Sequence, residues 1–124
     1  MAQITETKPS IAYFSMEIGL SHKIPSYSGG LGILAGDTLK TYADIGLPVV
    51  AVTLLNEKGY FEQRIDEHGN QHEDPVNWNV SEYLVPLPHQ VHVTIEGRNV
   101  TVRAWQYTIR GIQGHTLPVI FLDT

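Results

Sequence analysis

The run Leu47-Pro-Val-Val-Ala-Val-Thr-Leu-Leu55 narrows the possible folds of this chain more than any other feature. It is nearly all apolar and rich in valine. A continuous run of this kind suits a central strand covered on both faces, as in a parallel sheet. A parallel partner requires a crossover connection, and the preceding sequence provides one. Ile11-Ala-Tyr-Phe-Ser15 is a short apolar run with aromatic and β-branched residues and reads as a buried strand. Glu17 to Ser28, with Gly19 and Pro25, reads as a loop. In Leu31 to Ile45, the residues Leu31, Leu34, Ala35, Leu39, Tyr42 and Ile45 recur at helical spacing and predict a helix with one apolar face. Gly36 costs that helix about 1 kcal/mol against alanine, which suggests close packing or a nearby ligand, although plain tolerance of the glycine is the simpler reading. Gly46 and Pro48 end it. These pieces predict one βαβ unit with a right-handed crossover.

The texture then changes. Glu57 to Glu82 holds seven acids against Lys58 and Arg64 and reads as a solvated acidic loop region. Within it Tyr60–Ile65 has strand character, ending at the turn residues Glu67-His-Gly-Asn70. Val91–Glu96 and Val100–Ile109 alternate around Gly97-Arg-Asn99 and predict an antiparallel hairpin with one wet face. His92, Thr94 and Glu96 share that face, and Val91, Val93 and Ile95 the other. Leu117-Pro-Val-Ile-Phe-Leu122 reads as a last buried strand. A strand of this kind normally feeds a covering helix. None follows before Thr124, so the sequence reads as the beginning of a longer domain. Residues 1–10 are expected to be a loose leader, and 11–124 part of one domain.

Several function classes fall away on composition. With net charge −5 and no basic stripe, nucleic-acid binding is not expected. The absence of cysteine excludes disulfides, thiolate catalysis and cysteine zinc sites, and fits a reducing compartment. The polar first ten residues lack a signal-peptide core, and no apolar stretch is long enough to span a membrane. A cytoplasmic protein without membrane partners is the expectation. The six histidines show no compact ligand spacing; His68 and His72 beside Glu67, Glu73 and Asp74 read as surface loop residues rather than a metal site. Ser15 and Ser28 lack a nucleophile elbow.

The chemistry concentrates in Ser26-Tyr-Ser-Gly-Gly-Leu-Gly32, between a strand and a helix. Glycines allow backbone N–H groups to approach a ligand closely. The helix start adds unpaired N–H groups and a partial positive charge. Gly29, Gly30 and Gly32 do not match the dinucleotide spacing, and no Gly-Lys-Ser/Thr follows. A tight turn without ligand and a phosphate or sugar cradle both remain open on these residues alone. Trp78 and Trp105 offer faces for sugar rings, although core or edge packing is the commoner role.

Three segments in order carry a resemblance: Ala12-Tyr-Phe-Ser-Met-Glu17, Ser28-Gly-Gly-Leu-Gly-Ile-Leu-Ala35 and Lys58-Gly-Tyr-Phe-Glu-Gln-Arg-Ile65, with Gly-Asn-Gln and Trp78 beyond. Together they resemble the start of the α-glucan (glycogen, starch or maltodextrin) phosphorylases over about residues 11–124. The short loop between Glu17 and Gly29 is closest to the shorter bacterial branch.

The resemblance implies an α/β fold: the N-terminal portion of a Rossmann-like domain in the two-domain glycosyltransferase-B architecture. It implies phosphorolysis of terminal α-1,4 bonds to glucose 1-phosphate, with pyridoxal phosphate as cofactor. It assigns Glu17 to the catalytic cleft, the alternative being an acid that caps the glycine loop or pairs with a cation, and Ser28, Gly29, Gly30 and Leu31 to a loop over the glucose and phosphate subsites, with Gly30 also towards the cofactor. The cofactor lysine matches no residue here. The chain alone is therefore expected to bind no cofactor, to be inactive, and to associate with the rest of an enzyme or with itself.

There are departures. Gly19 stands where longer relatives carry tyrosine, Ser28 where asparagine is common, and Ile33 in place of arginine. Two other classes share features of the chain. Glycogen and starch synthases also have a Gly-Gly-Leu-Gly loop, but usually with a preceding lysine that is missing here. A carbohydrate-binding or assembly module without catalysis would need only the cradle.

Overall fold

The structure, a computed structural model, describes residues 8–56 and 60–124. The first seven residues of the expected leader, and Lys58-Gly59 of the third motif, lie outside the described residues. Strand β1 (Ile11–Phe14) leads through a loop to helix α1 (Gly30–Asp44), then to β2 (Val49–Leu54). A two-stranded hairpin follows, β3 (Phe61–Ile65) and β4 (Gln71–Pro75), then a short 3-10 turn at Val80–Glu82. Long strands β5 (Val85–Ile95) and β6 (Arg98–Arg110) precede β7 (Thr116–Asp123).

Five strands form one mixed sheet in the order β1-β2-β7-β6-β5. The first three run parallel, with Phe14 beside Val52 and Ala51 beside Val119. Strand β6 pairs antiparallel with both β7 and β5. The expected β1-α1-β2 unit is therefore present within an α/β fold. Its backbone hydrogen bonding begins before β1, where Ser10 N–H donates to the Pro48 carbonyl at 2.9 Å.

One face of the sheet carries the core. Val49, Ala51, Thr53, Leu117, Val119 and Phe121 are buried there against Ala35, Leu39 and Ala43 of α1. Ile18, Leu20 and Ile24 from the loop, and Val80 and Leu84 from the 3-10 segment, close its edge. The opposite face, with Phe14, Val52 and Leu54, is half-buried or exposed. The run at 47–55 is thus covered fully on one face only, because α1 is the sole α-helix among the described residues and lies on the other side.

Three further expectations are corrected. The buried stripe of α1 is Gly32, Ala35, Gly36, Leu39 and Ala43, whereas Leu31, Leu34 and Ile45 are exposed. Small residues win because the helix lies so close to its neighbours that a larger side chain has no room. The hairpin's apolar side, Val91, Val93 and Ile95, is exposed as well as its polar side, because the outer length of β5 is an edge strand. The stretch read as acidic loop contains β4, paired residue for residue with β3 from Phe61–Pro75 to Ile65–Gln71. The 95–98 turn is tight, with Glu96 and Gly97 both at positive φ (50° and 76°), as a two-residue hairpin loop demands.

Candidate functional site

The candidate site lies where β1 and β2 end and α1 begins. Ligands of open parallel sheets gather at this end of the strands. The segment after β1 is fixed by its backbone. Ser15 N–H donates to the Val52 carbonyl (3.1 Å), and the Thr53 hydroxyl to the Met16 carbonyl (3.2 Å). The Ser15 hydroxyl donates to the Glu17 carbonyl (2.7 Å), and Ile18 N–H to the Ser26 carbonyl (3.2 Å). The buried Ser26 hydroxyl returns a bond to the Ile18 carbonyl. A side chain on a segment tied this many times cannot drift.

Glycines bring the helix onto that segment. Gly19 N–H donates to the Gly32 carbonyl at 2.7 Å. A Cβ added at Gly36 would overlap the Gly19 carbonyl oxygen, and one at Gly32 would overlap the Tyr27 side chain. At Gly19 itself a Cβ would sit 3.1 Å from the Gly32 carbonyl oxygen. Gly19, the departure from longer relatives, thus lies at a close approach of loop and helix where a side chain would be tight.

Gly29 and Gly30 differ in kind. Neither has a positive φ, and a Cβ added at either meets nothing within 4 Å. Gly29 is the N-cap of α1 and supplies no side-chain cap. The first intrahelical bond runs from Ile33 N–H to the Gly29 carbonyl at 3.3 Å, so the amides of Gly30, Leu31 and Gly32 precede it. Open space over unpaired, partly positive N–H groups fits an anion such as phosphate.

Glu17 sits beside this loop. Its carboxylate accepts from Ser28 N–H (3.4 Å), the Ser28 hydroxyl (3.3 Å) and the Tyr60 hydroxyl (3.2 Å). Glu17 thereby tethers the residue that precedes the glycine pair. Burial first, then the charge of Glu17 and its hydrogen bond, push the Tyr60 phenol above its ordinary value, against an opposing bond to Asn56. Tyr60 therefore stays a donor through the neutral range. Of the five site residues predicted from sequence, the structure joins Glu17 to Ser28 directly and puts Gly29, Gly30 and Leu31 in the next turn of chain. Leu31 is exposed. Tyr60 was not foreseen as a site residue, although it stands inside the third motif.

A cleft of about 760 Å³ opens next to Glu17's partners, with Ser28 and Tyr60 in its wall. Tyr27, Glu62, Trp78 and Tyr83 also line it. Trp78 and Trp105 are both half-buried and pack against the core, and Trp78 also borders the cleft. His72 lies within hydrogen-bond reach of Asp66 (2.7 Å), and that contact, with the amides of Asn70 and His68, holds the Asp66 carboxyl below its usual range. No group of three or more potential ligands is poised to hold a metal among the described residues. No described helix is long and apolar enough to cross a membrane.

Comparison with known proteins supports the resemblance. Maltodextrin phosphorylase of Thermococcus litoralis is 41% identical over 114 residues, covering 86% of this chain and 14% of that protein. This chain is a homologue of part of the α-glucan phosphorylases. Glycogen phosphorylase of Mycobacterium tuberculosis is 56% identical over 63 residues, 51% of this chain and 7% of its own length. The Aquifex aeolicus glycogen phosphorylase is 45% identical over 64 residues, 52% of this chain and 9% of its own. The chain thus spans about a seventh, or less, of these phosphorylases. No family model matches it. The resemblance read from the three motifs is borne out.

Proposed function

We propose that this chain forms one wall of the active-site cleft of a cytoplasmic α-1,4-glucan phosphorylase, as the N-terminal portion of its Rossmann-like, glycosyltransferase-B domain. In this reading the complete enzyme cuts the terminal glucose from a glucan with inorganic phosphate and releases glucose 1-phosphate. The observation that carries it is the tether from Glu17 to Ser28 beside an open helix start. Those are the residues that the family motif assigns to the cleft.

The parts divide by chemistry. The backbone N–H groups of Gly30 and Leu31 face developing negative charge with fixed dipoles, which in comparable oxyanion sites contributes several kcal/mol. Glu17 holds Ser28, and so the loop, in place. Tyr60 completes the anchor. Phosphorylases generally depend on pyridoxal phosphate, whose own phosphate group supplies proton transfer to the substrate phosphate when bound. The open space over Gly30 fits a phosphate group, and Gly30 is the residue of this chain assigned towards it. The lysine that carries the cofactor belongs to the remainder of the enzyme in this reading, so the 124-residue chain alone is inactive.

The test is to supply the complete enzyme containing this segment with maltodextrin and phosphate and follow glucose 1-phosphate. Release that falls sharply in Glu17→Gln supports the reading. Release of free glucose instead, or no dependence on phosphate, would sink it.

A further inference from the structure

Strand β6 outruns its partner on one side. Its pairing with β7 continues to Arg110, opposite Thr116, whereas its pairing with β5 ends at Gln106, opposite Val85. The chain before Val85 turns away, with Leu84 N–H donating to the Val80 carbonyl at 2.9 Å. Among the described residues nothing pairs with Tyr107–Arg110 on that side. In an antiparallel ladder successive residues point their backbone groups to alternate sides. Gly111 N–H donates to the His115 carbonyl at 2.8 Å, in register with the β6–β7 ladder. Two and four residues back, Ile109 and Tyr107 therefore bond towards β7. The N–H and C=O groups of Thr108 and Arg110 point outward, two donors and two acceptors at strand spacing.

A notch of about 340 Å³ opens along this edge. Buried Leu20 and Ile109 give it an apolar floor, to which the half-buried Tyr107 ring adds. Lys40 of α1 and Arg110 line it as well, and among the described residues no carboxylate does. The ion pairs of the described residues take up Arg64 and Arg103 but neither Lys40 nor Arg110. Asp44, one turn beyond Lys40 on α1, is engaged by Ile112 N–H at 2.9 Å. In a chain of net charge −5, two cations without a carboxylate partner at one notch are a local exception.

An open strand edge is a template for another strand. A peptide added there gains affinity from main-chain hydrogen bonds and specificity from pockets for alternate side chains. The outward carbonyls of Thr108 and Arg110 oppose a lone anion but satisfy a peptide's N–H groups. The two cations then select the sign of its side chains. We propose that Tyr107–Arg110 is a strand-addition site for an extended acidic segment of a partner protein. The segment pairs with the backbone of Thr108 and Arg110, seats an apolar side chain on Leu20, Ile109 and Tyr107, and sets a carboxylate at Lys40. The site shares no lining residue with the cleft beside Glu17, and it stands whether or not the enzyme is a phosphorylase.

The test uses the complete enzyme containing this segment and two end-blocked pentapeptides, Val-Glu-Val-Glu-Val and Val-Lys-Val-Lys-Val. Calorimetry should show binding of the acidic peptide, and the lysine peptide should bind at least about tenfold more weakly. Lys40 is exposed, so Lys40→Glu should fold normally. It should weaken the acidic peptide about tenfold and narrow the gap between the two. Hydrogen exchange supplies the second readout. The Thr108 and Arg110 amides should exchange fast in the enzyme alone and slow down with the acidic peptide, while those of Tyr107 and Ile109, bonded to β7, stay slow throughout. Methylating alternate backbone nitrogens of the peptide should abolish both effects. Thr108 and Arg110 amides already protected in the peptide-free enzyme overturn the proposal, because the enzyme then covers its own edge. So does the absence of heat from the acidic peptide at about 1 mM, or equal affinity for the two peptides.

Discussion

Gly36 of the helix lies against the carbonyl oxygen of Gly19, so closely that an added Cβ would overlap that oxygen. The contact sets how near α1 comes to the segment carrying Glu17. Alanine at an exposed helix position would gain about 1 kcal/mol over glycine. Here the obstacle is backbone, which cannot swing aside. Overpacking of up to about 3 kcal/mol then outweighs the propensity gain. Gly36→Ala should lose about 2 kcal/mol net, read as a lower urea midpoint with an unchanged slope. A gain in stability would mean that the helix can shift outward without cost.

Gly30→Ala should separate stability from function. A Cβ at Gly30 meets nothing within 4 Å, and the residue is already in the first helical turn. Unfolding stability should stay within about 0.5 kcal/mol of the parent. Phosphate affinity, measured by calorimetry on the complete enzyme, should fall, because the methyl group occupies the space over the open amides. Equal affinity in the two proteins would remove the glycine loop from the phosphate subsite.

The Glu17–Tyr60 bond predicts a pH dependence. Tyr60 titrates above its ordinary value, from burial and then from the charge and hydrogen bond of Glu17. An acid whose folded value is raised binds its proton longer in the folded state. Its stability contribution is therefore fully present below the unfolded phenol value of about 10 and is lost as pH rises through the folded value. In Glu17→Gln the charge is gone and burial remains. The Tyr60 step, followed by tyrosinate absorbance against a Tyr60→Phe control, should move down in pH without returning wholly to the ordinary value. The same variant loosens Ser28, and misplacing a binding loop costs up to about 10²-fold in rate. An unmoved Tyr60 titration would show that the bond does not form in solution.

The strands and the βαβ unit were legible because their patterns are local. Valine-rich 47–55 and alternating 91–109 declare themselves within a few residues. The helix was legible in extent and misread in facing. Apolar periodicity rightly picks Ala35 and Leu39 but adds the exposed Leu31, Leu34 and Ile45, and it passes over Gly32, Gly36 and Ala43 of the buried stripe. Glycine at helical spacing, Gly32 and Gly36, is the signal for that stripe. Among site residues, Glu17 and the loop stand out in the motifs. Tyr60 does not, because its partner Glu17 is 43 residues away and no periodicity joins them. The cleft was hidden for the same reason: Tyr27, Tyr60 and Trp78 belong to three separate stretches of sequence.

The open face of the sheet gives the last prediction. Phe14, Val52 and Leu54 share that face, and Phe14 is 74% exposed. The core and α1 occupy the other side. Parallel sheets are normally covered on both faces, and exposed contiguous apolar surface drives association. At the far edge of the same sheet, Val91, Val93 and Ile95 of β5 are exposed on a strand with an unpaired side among the described residues. The 124-residue chain produced alone should therefore self-associate, with an average mass by light scattering that rises with concentration. Phe14→Lys should lower that mass, since a charge on the open face opposes stacking while the exposed edge position tolerates it. Neither protein should release glucose 1-phosphate from maltodextrin. A chain that stays monomeric at every concentration would mean that its own described residues satisfy this face, and the remainder of the enzyme would then have to dock elsewhere.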